Sequence, residues 1–299
     1  MLFNNFCNTI QKDIQEMMGD NCLVEIHPVN KNNNHILHGL TIHENDCNIA
    51  PTIYLDYYYE DLLNGKSIQT IEQEIIEVYK KNKSSKNMDL SFFTDYQKVK
   101  SNIVYKLVHY EQNKELLKYV PHIQYLDLAI VFCCLMLNSP GGNATILIYN
   151  HHLSMWNANV KQLYEIAKKN TPLLLPYEIE SMESVLKSFC NEMPIFSDVD
   201  TKELAVCPMY ILTNKQKLFG ASCILYENVL KEFANKVGQD LYILPSSLHE
   251  VILLPALEEY NMEHLTKMVK EVNASQVQEE EILADHAYYY SRETGMISM

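Results

Sequence analysis

A short turn near the carboxyl end of the chain, Ser246-Ser247-Leu248-His249-Glu250, brings together two hydroxyls, an imidazole and a carboxylate. A serine becomes a nucleophile when an imidazole lies within hydrogen-bond reach of its hydroxyl and a third group orients that imidazole. Residues this close in sequence more often bond to the backbone of their own turn. Ser246, Ser247, His249 and Glu250 are therefore candidate catalytic residues, with a structural turn as the alternative.

A second pair of chemically capable side chains, Asp285 and His286, places a carboxylate next to an imidazole. Adjacent residues of a strand point to opposite faces, so we expect one side chain to pack and the other to be solvated. The pair is a candidate ligand-binding site. His249 and His286 could share a site if their strands were neighbours.

Metal and cofactor motifs are not found in the sequence. The segment with most metal-ligand types places its histidines on opposite faces of a strand, and neither His-Glu-x-x-His nor Cys-x-x-Cys occurs. Its members are His35, His38, His43, Glu44, Asp46 and Cys47. Only 8 of 299 residues are glycine, well under the usual share of about 7%, and no phosphate-cradling loop can be assembled from them. We therefore predict neither a bound metal nor a cofactor.

The charge of the chain limits its partners. Acidic residues outnumber basic ones by 38 to 24, which gives a formal net charge of −14. A protein that binds nucleic acid through its phosphates needs a basic face, so we expect no direct nucleic-acid binding. An acidic protein that competes with nucleic acid for a basic partner is a further alternative.

The terminal and apolar segments favour a cytoplasmic protein with no membrane association. Polar and charged residues interrupt the first 19 residues, which resemble an amphipathic helix ending at Gly19 and not a signal peptide. The longest apolar run, 128–137, is about half of the roughly twenty residues that cross a bilayer as a helix. The eight cysteines form no Cys-x-x-Cys pair and several lie in apolar segments, which favours free thiols in a reducing compartment.

The periodicity of the chain predicts an α+β fold with mainly antiparallel sheets and helices packed on one face. Residues 22–27 and 36–42 are expected to form a hairpin, 128–137 a buried strand, and 138–143 the turn of a second hairpin. A helix from Val160 is expected to end at 170–172. The last third follows the order β-α-β-β-α-β of a split βαβ or ferredoxin-like unit.

We expect an amino-terminal α+β subdomain over 1–86, because the most polar stretch of the chain ends there, and a larger α+β domain over 87–299. Within the larger domain, strands ending near Asn150 and Asn214 are each followed by a turn and a helix. This similarity suggests two related βα modules, about 100–190 and 205–299. Convergence is the alternative, since Asn suits the turns that end strands.

Several segments together resemble the uncharacterised domain-of-unknown-function family 5688, over nearly the whole chain. They are Asn48-Ile49-Ala50-Pro51-Thr52-Ile53-Tyr54-Leu55, Leu126-Asp127-Leu128-Ala129-Ile130-Val131, Leu153-Ser154-Met155-Trp156, Leu244-Pro245-Ser246-Ser247-Leu248-His249-Glu250-Val251-Ile252 and Asp285-His286-Ala287-Tyr288-Tyr289. The resemblance implies a bacterial cytosolic protein of anaerobic gut bacteria and supplies no activity. The last third is also faintly similar to domain-of-unknown-function family 1444.

These observations predict a cytosolic bacterial protein that acts by binding a protein partner or a small ligand, with a homo-oligomer as one form of protein binding. A small hydrolase or other acid/base enzyme built on the turn 246–250 is the alternative from another class. The acidic competitor for a nucleic-acid-binding partner is the third.

Overall fold

The structure is a computed structural model that describes residues 1–45, 47–48, 50–83, 91–139, 142–185 and 208–299. The chain divides into two compact units, residues 1–95 with 135–145, and residues 96–134 with 146–299. The predicted boundary after residue 86 lies outside the described residues, as do the predicted module ends at 190 and 205. The predicted domains and modules therefore stay predictions.

The first unit contains a three-stranded antiparallel sheet, in the order β1-β2-β3, with three helices. Its elements are α1 (Phe3–Met18), β1 (Cys22–Asn30), β2 (Ile36–Glu44), β3 (Thr52–Tyr54), α2 (Leu55–Leu63) and α3 (Ile68–Asn82). The predicted hairpin is confirmed, and Cys22 pairs with Glu44 across it. Asn33 and Asn34 turn the hairpin with positive φ angles of 60° and 55°, a conformation that asparagine tolerates better than most residues.

The core of the first unit forms where α1 and α3 cover the sheet. One stripe of α1, spaced four residues apart, is fully buried and packs with apolar residues of α3 and the sheet. The core side chains from these elements are Phe6, Ile10, Ile14, Val24, Leu40, Ile42, Ile71 and Ile75. The N-cap Ser67 accepts a hydrogen bond from the Thr70 N–H at 3.1 Å and so starts α3. Gly19 ends α1 as predicted, with φ of 75°.

The second unit begins with a sheet in the order β4-β6-β5, to which β7 adds by pairing with β6, although residues 135–145 of this hairpin belong to the first unit. Its elements are α4 (Tyr96–Val99), β4 (Ile103–His109), α5 (Lys114–Leu117), β5 (His122–Tyr125), β6 (Leu128–Ser139), β7 (Gly142–Leu147), α6 (Asn150–Trp156) and α7 (Val160–Leu174). The predicted buried strand is confirmed, since every side chain from Leu128 to Leu135 is buried. The predicted pairing of β6 with β7 is confirmed as well, although Pro140 and Gly141 at its turn lie outside the described residues.

A six-stranded antiparallel sheet completes the second unit, in the order β13-β12-β10-β11-β9-β8. Its elements are β8 (Tyr177–Ser181), β9 (Tyr210–Asn214), α8 (Val229–Val237), β10 (Leu241–Leu244), β11 (Val251–Pro255), α9 (Met262–Gln276), β12 (Tyr288–Tyr290) and β13 (Ile297–Ser298). Strands β9 and β10 are both antiparallel to β11, which lies between them, so the predicted split βαβ arrangement is present. The α+β fold class is confirmed.

Some predicted boundaries are wrong. The helix that begins at Val160 continues through Pro172 to Leu174, because tertiary hydrogen bonds hold its last turns: the Tyr105 N–H donates to the Thr171 hydroxyl at 3.1 Å. Ser181 ends β8, residues 182–185 are helical, and residues 186–207 lie outside the described residues. No helix in the described parts of the chain has the length and apolar character needed to span a membrane.

Candidate functional site

The predicted catalytic turn connects β10 to β11 and is closed by its own backbone. The Ser247 hydroxyl accepts a hydrogen bond from the His249 N–H at 3.0 Å, and the Ser247 N–H donates to the Glu250 carbonyl at 3.2 Å. The hydroxyl of Ser247 is therefore engaged with the main chain of His249 and not with its imidazole. This is the structural use of serine in turns.

The imidazole of His249 is oriented by other parts of the second unit. Its Nδ1 lies 3.3 Å from the Phe219 nitrogen and 3.1 Å from the Lys217 carbonyl oxygen, so it accepts from one or donates to the other according to its tautomer. Its Nε2 lies 3.8 Å from a carboxylate oxygen of Glu281, and the ring stacks on Phe219 with centroids 5.9 Å apart. The four candidate catalytic side chains are thus not assembled into a triad.

A glycine allows the segment 217–220 to approach this turn. A Cβ on Gly220 would lie 2.3 Å from the His249 carbonyl oxygen and 2.3 Å from the Thr213 hydroxyl oxygen. That same hydroxyl donates to the His249 carbonyl at 2.7 Å. Gly220 therefore serves close backbone packing.

The side chains of Asp285 and His286 point to different partners. Asp285 is exposed and its Oδ1 accepts a hydrogen bond from the Asn273 side-chain amide at 2.9 Å. The Nε2 of His286 is buried, has no hydrogen-bond partner in the described part of the chain, and lies 3.7 Å from Oδ2 of Asp127. His286 therefore faces a carboxylate that is distant in sequence, and its neighbour does not take part.

His286 belongs to a group of four residues that we call the Asp127 cluster: His109, Asp127, His286 and Tyr288. The two imidazole Nε2 atoms face the same carboxylate oxygen, Oδ2, at 3.6 Å from His109 and 3.7 Å from His286. The Tyr288 hydroxyl donates to the other oxygen, Oδ1, at 2.9 Å. The cluster joins the end of β4, the turn before β6 and strand β12.

Two members of the Asp127 cluster, His109 and Tyr288, have defined hydrogen-bonding roles. The Nδ1 of His109 accepts from the Gln112 N–H at 3.1 Å, so in the neutral ring the proton is on Nε2 and points to Asp127. Burial, together with the neighbouring Asp127 carboxylate, raises the pKa of Tyr288, which keeps its hydroxyl protonated as a donor. A carboxylate that orients imidazoles is the supporting half of an acid/base site.

Metal binding finds no support in the geometry. Among the residues that the structure describes, no three or more His, Cys, Asp or Glu side chains are arranged to hold a metal ion. Asp46, one of the six potential ligands in the 35–47 segment, lies outside the described residues.

A cleft of about 570 Å³ opens beside the turn that carries Asp127, wholly within the second unit. We call it the tyrosine cleft, because four of its lining residues are tyrosines. Its lining consists of Tyr125, Leu126, Ile130, Tyr164, Lys168, Ile224, Leu225, Tyr226, Glu227, Asn228, Leu230, Lys231, Tyr290, Gly295, Met296 and Ile297. The two-residue turn Leu126-Asp127 thus contributes one residue to the cleft and one to the cluster.

The backbone around the tyrosine cleft takes unusual conformations. Leu126, Asn228 and Gly295 line the cleft with positive φ angles of 56°, 65° and 67°. Leu126 occupies a two-residue hairpin turn, where a positive φ is normally supplied by Gly, Asn or Asp. A leucine in this conformation costs about 1–2 kcal/mol. The turn is held by hydrogen bonds that include the Tyr110 N–H to the Asp127 carbonyl at 2.8 Å.

Comparison with known proteins places the chain in a family. The model of a family of unknown function, DUF5688, matches residues 3–292. The chain belongs to DUF5688. No curated protein and no solved structure matches it. Because the match spans nearly the whole chain, the Asp127 cluster and most of the tyrosine cleft of this DUF5688 protein fall within it, while Gly295, Met296 and Ile297 lie beyond its end.

Sequence reasoning found one member of the Asp127 cluster and missed the others. His286 was singled out for the carboxylate next to it in sequence, whereas its partner comes from a turn far along the chain. Asp127 carries one available signal: it is an isolated carboxylate immediately before a run of buried apolar residues. That signal marks a position of interest but does not identify its partners.

Proposed function

We propose that this protein is a cytosolic bacterial protein that binds a small molecule in the tyrosine cleft. The observation that carries the proposal is the cleft itself. Its volume of about 570 Å³ lies within the range of roughly 300–1,000 Å³ that is typical of small-molecule sites. Its lining combines apolar side chains with a few polar groups from four separate segments of the chain, as such sites do.

The strained backbone supports the same location. Non-glycine residues with positive φ collect at binding and catalytic sites, where the surrounding structure holds them in place. Leu126 and Asn228 are two such residues, and both line the tyrosine cleft. Asp127, the residue after Leu126, is contacted by Tyr288, His109 and His286. These contacts hold the turn in which Leu126 takes its strained conformation.

We favour small-molecule binding over the hydrolase alternative because the Ser247 hydroxyl is engaged by the backbone and His249 faces Glu281. Binding of a protein partner or of a second copy of the chain, and competition with nucleic acid, rest on composition alone. They serve as outcomes of the test.

The test is a ligand-observed NMR screen of a small-molecule library against the full chain and two variants. Met296→Trp places a bulky ring in the cleft at a side chain that is 67% exposed, so folding should be preserved. Met155→Trp is the matched control, since Met155 is also an exposed methionine of the second unit and does not line the cleft.

The proposal predicts compounds that bind the wild-type chain and Met155→Trp but not Met296→Trp. Compounds that bind all three proteins equally would place the binding site elsewhere. A screen without any bound compound would contradict the proposal and return the protein-partner alternative to first place.

A further inference from the structure

Several polar groups of the tyrosine cleft are donors without an acceptor in the described part of the chain, although the Tyr226 hydroxyl donates to the Leu175 carbonyl at 2.9 Å. Lys168 and Lys231 line the cleft, and neither has a carboxylate within ion-pair distance in the described part of the chain. The single acidic residue of the lining is Glu227. The chain has a net charge of −14, whereas the side chains of this cleft carry two lysine charges against one glutamate.

Tyr290 adds a hydroxyl donor to the lining of the same cleft. Its side chain is only 4% exposed, it lines the cleft, and its hydroxyl has no hydrogen-bond partner among the described residues. The hydroxyl oxygen itself is not fully buried, so solvent reaches it and a ligand in the cleft can engage it. Burial and Asp240 raise the pKa of Tyr290, so the hydroxyl stays protonated. Asp240 itself already accepts hydrogen bonds from Tyr289 and Arg292.

The first turn of α8 supplies backbone donors at the same wall. Its N-cap residue, Asn228, makes no side-chain capping bond, and in the described structure the N–H groups of Leu230 and Lys231 find no backbone acceptor. The amino-terminal end of a helix carries a partial positive charge and favours anions. Leu230 and Lys231 both line the cleft, so the first turn of α8 forms part of its wall.

The rest of the lining is apolar. Ile130, Ile224, Leu225 and Ile297 contribute aliphatic surface, which water leaves with a gain in free energy when an apolar group covers it. A ligand that matches both parts of the cleft carries a negative charge at one end and an apolar body at the other.

We propose that the tyrosine cleft binds a small amphiphilic anion, with its carboxylate or phosphate group at the first turn of α8, near Lys231 and Tyr290, and its apolar body against the aliphatic wall. This inference rests on the proposed function and names the class of its ligand. Lys168 contributes longer-range attraction from α7.

The test is calorimetric titration with matched probes. Hexyl, octyl and 4-phenylbutyl compounds are each used as the carboxylate, the phosphate monoester and the neutral primary amide. We expect the anions to bind the wild-type chain at least about tenfold more tightly than the amides, because hydrogen bonds to a charged group are stronger than those between neutral groups. The affinity of the anions should fall as salt is added. The ratio of carboxylate to phosphate affinity identifies the headgroup.

Two variants locate the charge. Lys231→Gln and Tyr290→Phe should each weaken anion binding, by about tenfold for the lysine, and leave amide binding unchanged. Lys236→Gln, on the same helix but outside the cleft, and Tyr119→Phe, at a side chain 64% exposed, are the matched controls. Thermal melts of all variants check that folding is intact.

The outcomes separate the two proposals. Anion binding that Lys231→Gln and Tyr290→Phe leave unchanged overturns the inference. Amides that bind as tightly as the anions, and lose binding in Met296→Trp, also overturn the inference but support the proposed function. If no probe binds the wild-type chain, the inference fails, and the library screen then decides the proposed function.

Discussion

The Tyr288 hydroxyl donates a hydrogen bond of 2.9 Å to the Asp127 carboxylate and so joins two residues that are 161 positions apart. Tyr288 lies in β12, and Asp127 lies in the turn between β5 and β6. The bond ties the two sheets of the second unit together next to Leu126, which lines the tyrosine cleft. The shape of the cleft therefore depends on a buried polar contact outside it.

Removal of this hydroxyl should lower stability. Tyr288 is only 1% exposed. In Tyr288→Phe the ring stays in place, but Asp127 loses the hydrogen bond that the hydroxyl donates to its carboxylate. We expect the free energy of unfolding to fall by about 1–2 kcal/mol, measured by urea denaturation. Tyr119→Phe, at an exposed site, should change it by less than about 0.5 kcal/mol. Equal stability of the two variants would show that the Asp127 bond contributes nothing.

Replacement of the strained leucine should separate stability from binding. Leu126→Gly relieves a positive φ that costs leucine about 1–2 kcal/mol and removes an apolar side chain from the cleft. We expect the free energy of unfolding to stay level or rise, while affinity for cleft ligands falls. Leu173→Gly, at an exposed helical leucine outside the cleft, should instead lose about 1 kcal/mol of stability and keep its affinity. Unchanged affinity in Leu126→Gly would contradict a role of this side chain in the cleft.

A buried carboxyl in the first unit should make stability depend on pH. Glu72 is 4% exposed, and burial together with a hydrogen bond to Asp13 raises its pKa in the folded state. Its contribution to stability is therefore complete below the pKa of the unfolded chain and is lost as the pH rises through the folded pKa. Glu72→Gln should keep a hydrogen bond to Asp13 without a second negative charge. We expect this variant to be more stable than wild type at pH 7 and to lose less stability between pH 4 and pH 7.

The control for this measurement is Glu77→Gln, an exposed glutamate of the same helix. It should follow the wild-type stability across the same pH range. A Glu72→Gln protein that is less stable than wild type at pH 7 would show that the ionised carboxylate is accommodated without cost.

Thiol reactivity should follow burial. Burial raises the pKa of Cys133 to about 11 and the pKa of Cys134 and Cys223 to about 12, which leaves almost no reactive thiolate at neutral pH. Cys22 and Cys47 are only half-buried. Timed alkylation read by peptide mass spectrometry should modify these two well before the other three, and a denatured sample should show no such order. Rapid modification of Cys133 in the native protein would contradict the buried strand.

The sequence predicts the long elements of this fold and misses some of the short ones. The apolar stripe of Phe6, Ile10 and Ile14 predicts α1, because its spacing repeats over several helical turns. The apolar run of β6 predicts a buried strand, because it continues over many residues. Strands β3 and β13 have only three and two residues, too few for a period to show, whereas the equally short β12 is the predicted last strand of the β-α-β-β-α-β order. The end of α7 depends on the bond between Tyr105 and Thr171, which local propensity does not include.

The candidate site was only partly accessible to sequence reasoning for a related reason. His286 could be selected by its chemical type, but Asp127, His109 and Tyr288 become its neighbours only when the strands pair. The turn 246–250 attracted the prediction because its residues are close in sequence. Because they are close in sequence, their side chains can also hydrogen-bond to the backbone of the same turn, as the Ser247 hydroxyl does to the His249 N–H.

The most direct test of the account is a set of crystal structures of the full chain soaked with the carboxylate, phosphate and amide probes. We predict electron density for the anions in the tyrosine cleft, with the charged group within hydrogen-bond distance of Lys231 Nζ or the Tyr290 hydroxyl. Density for the probes only at other surfaces of the protein, with none in the cleft, would contradict the central claim.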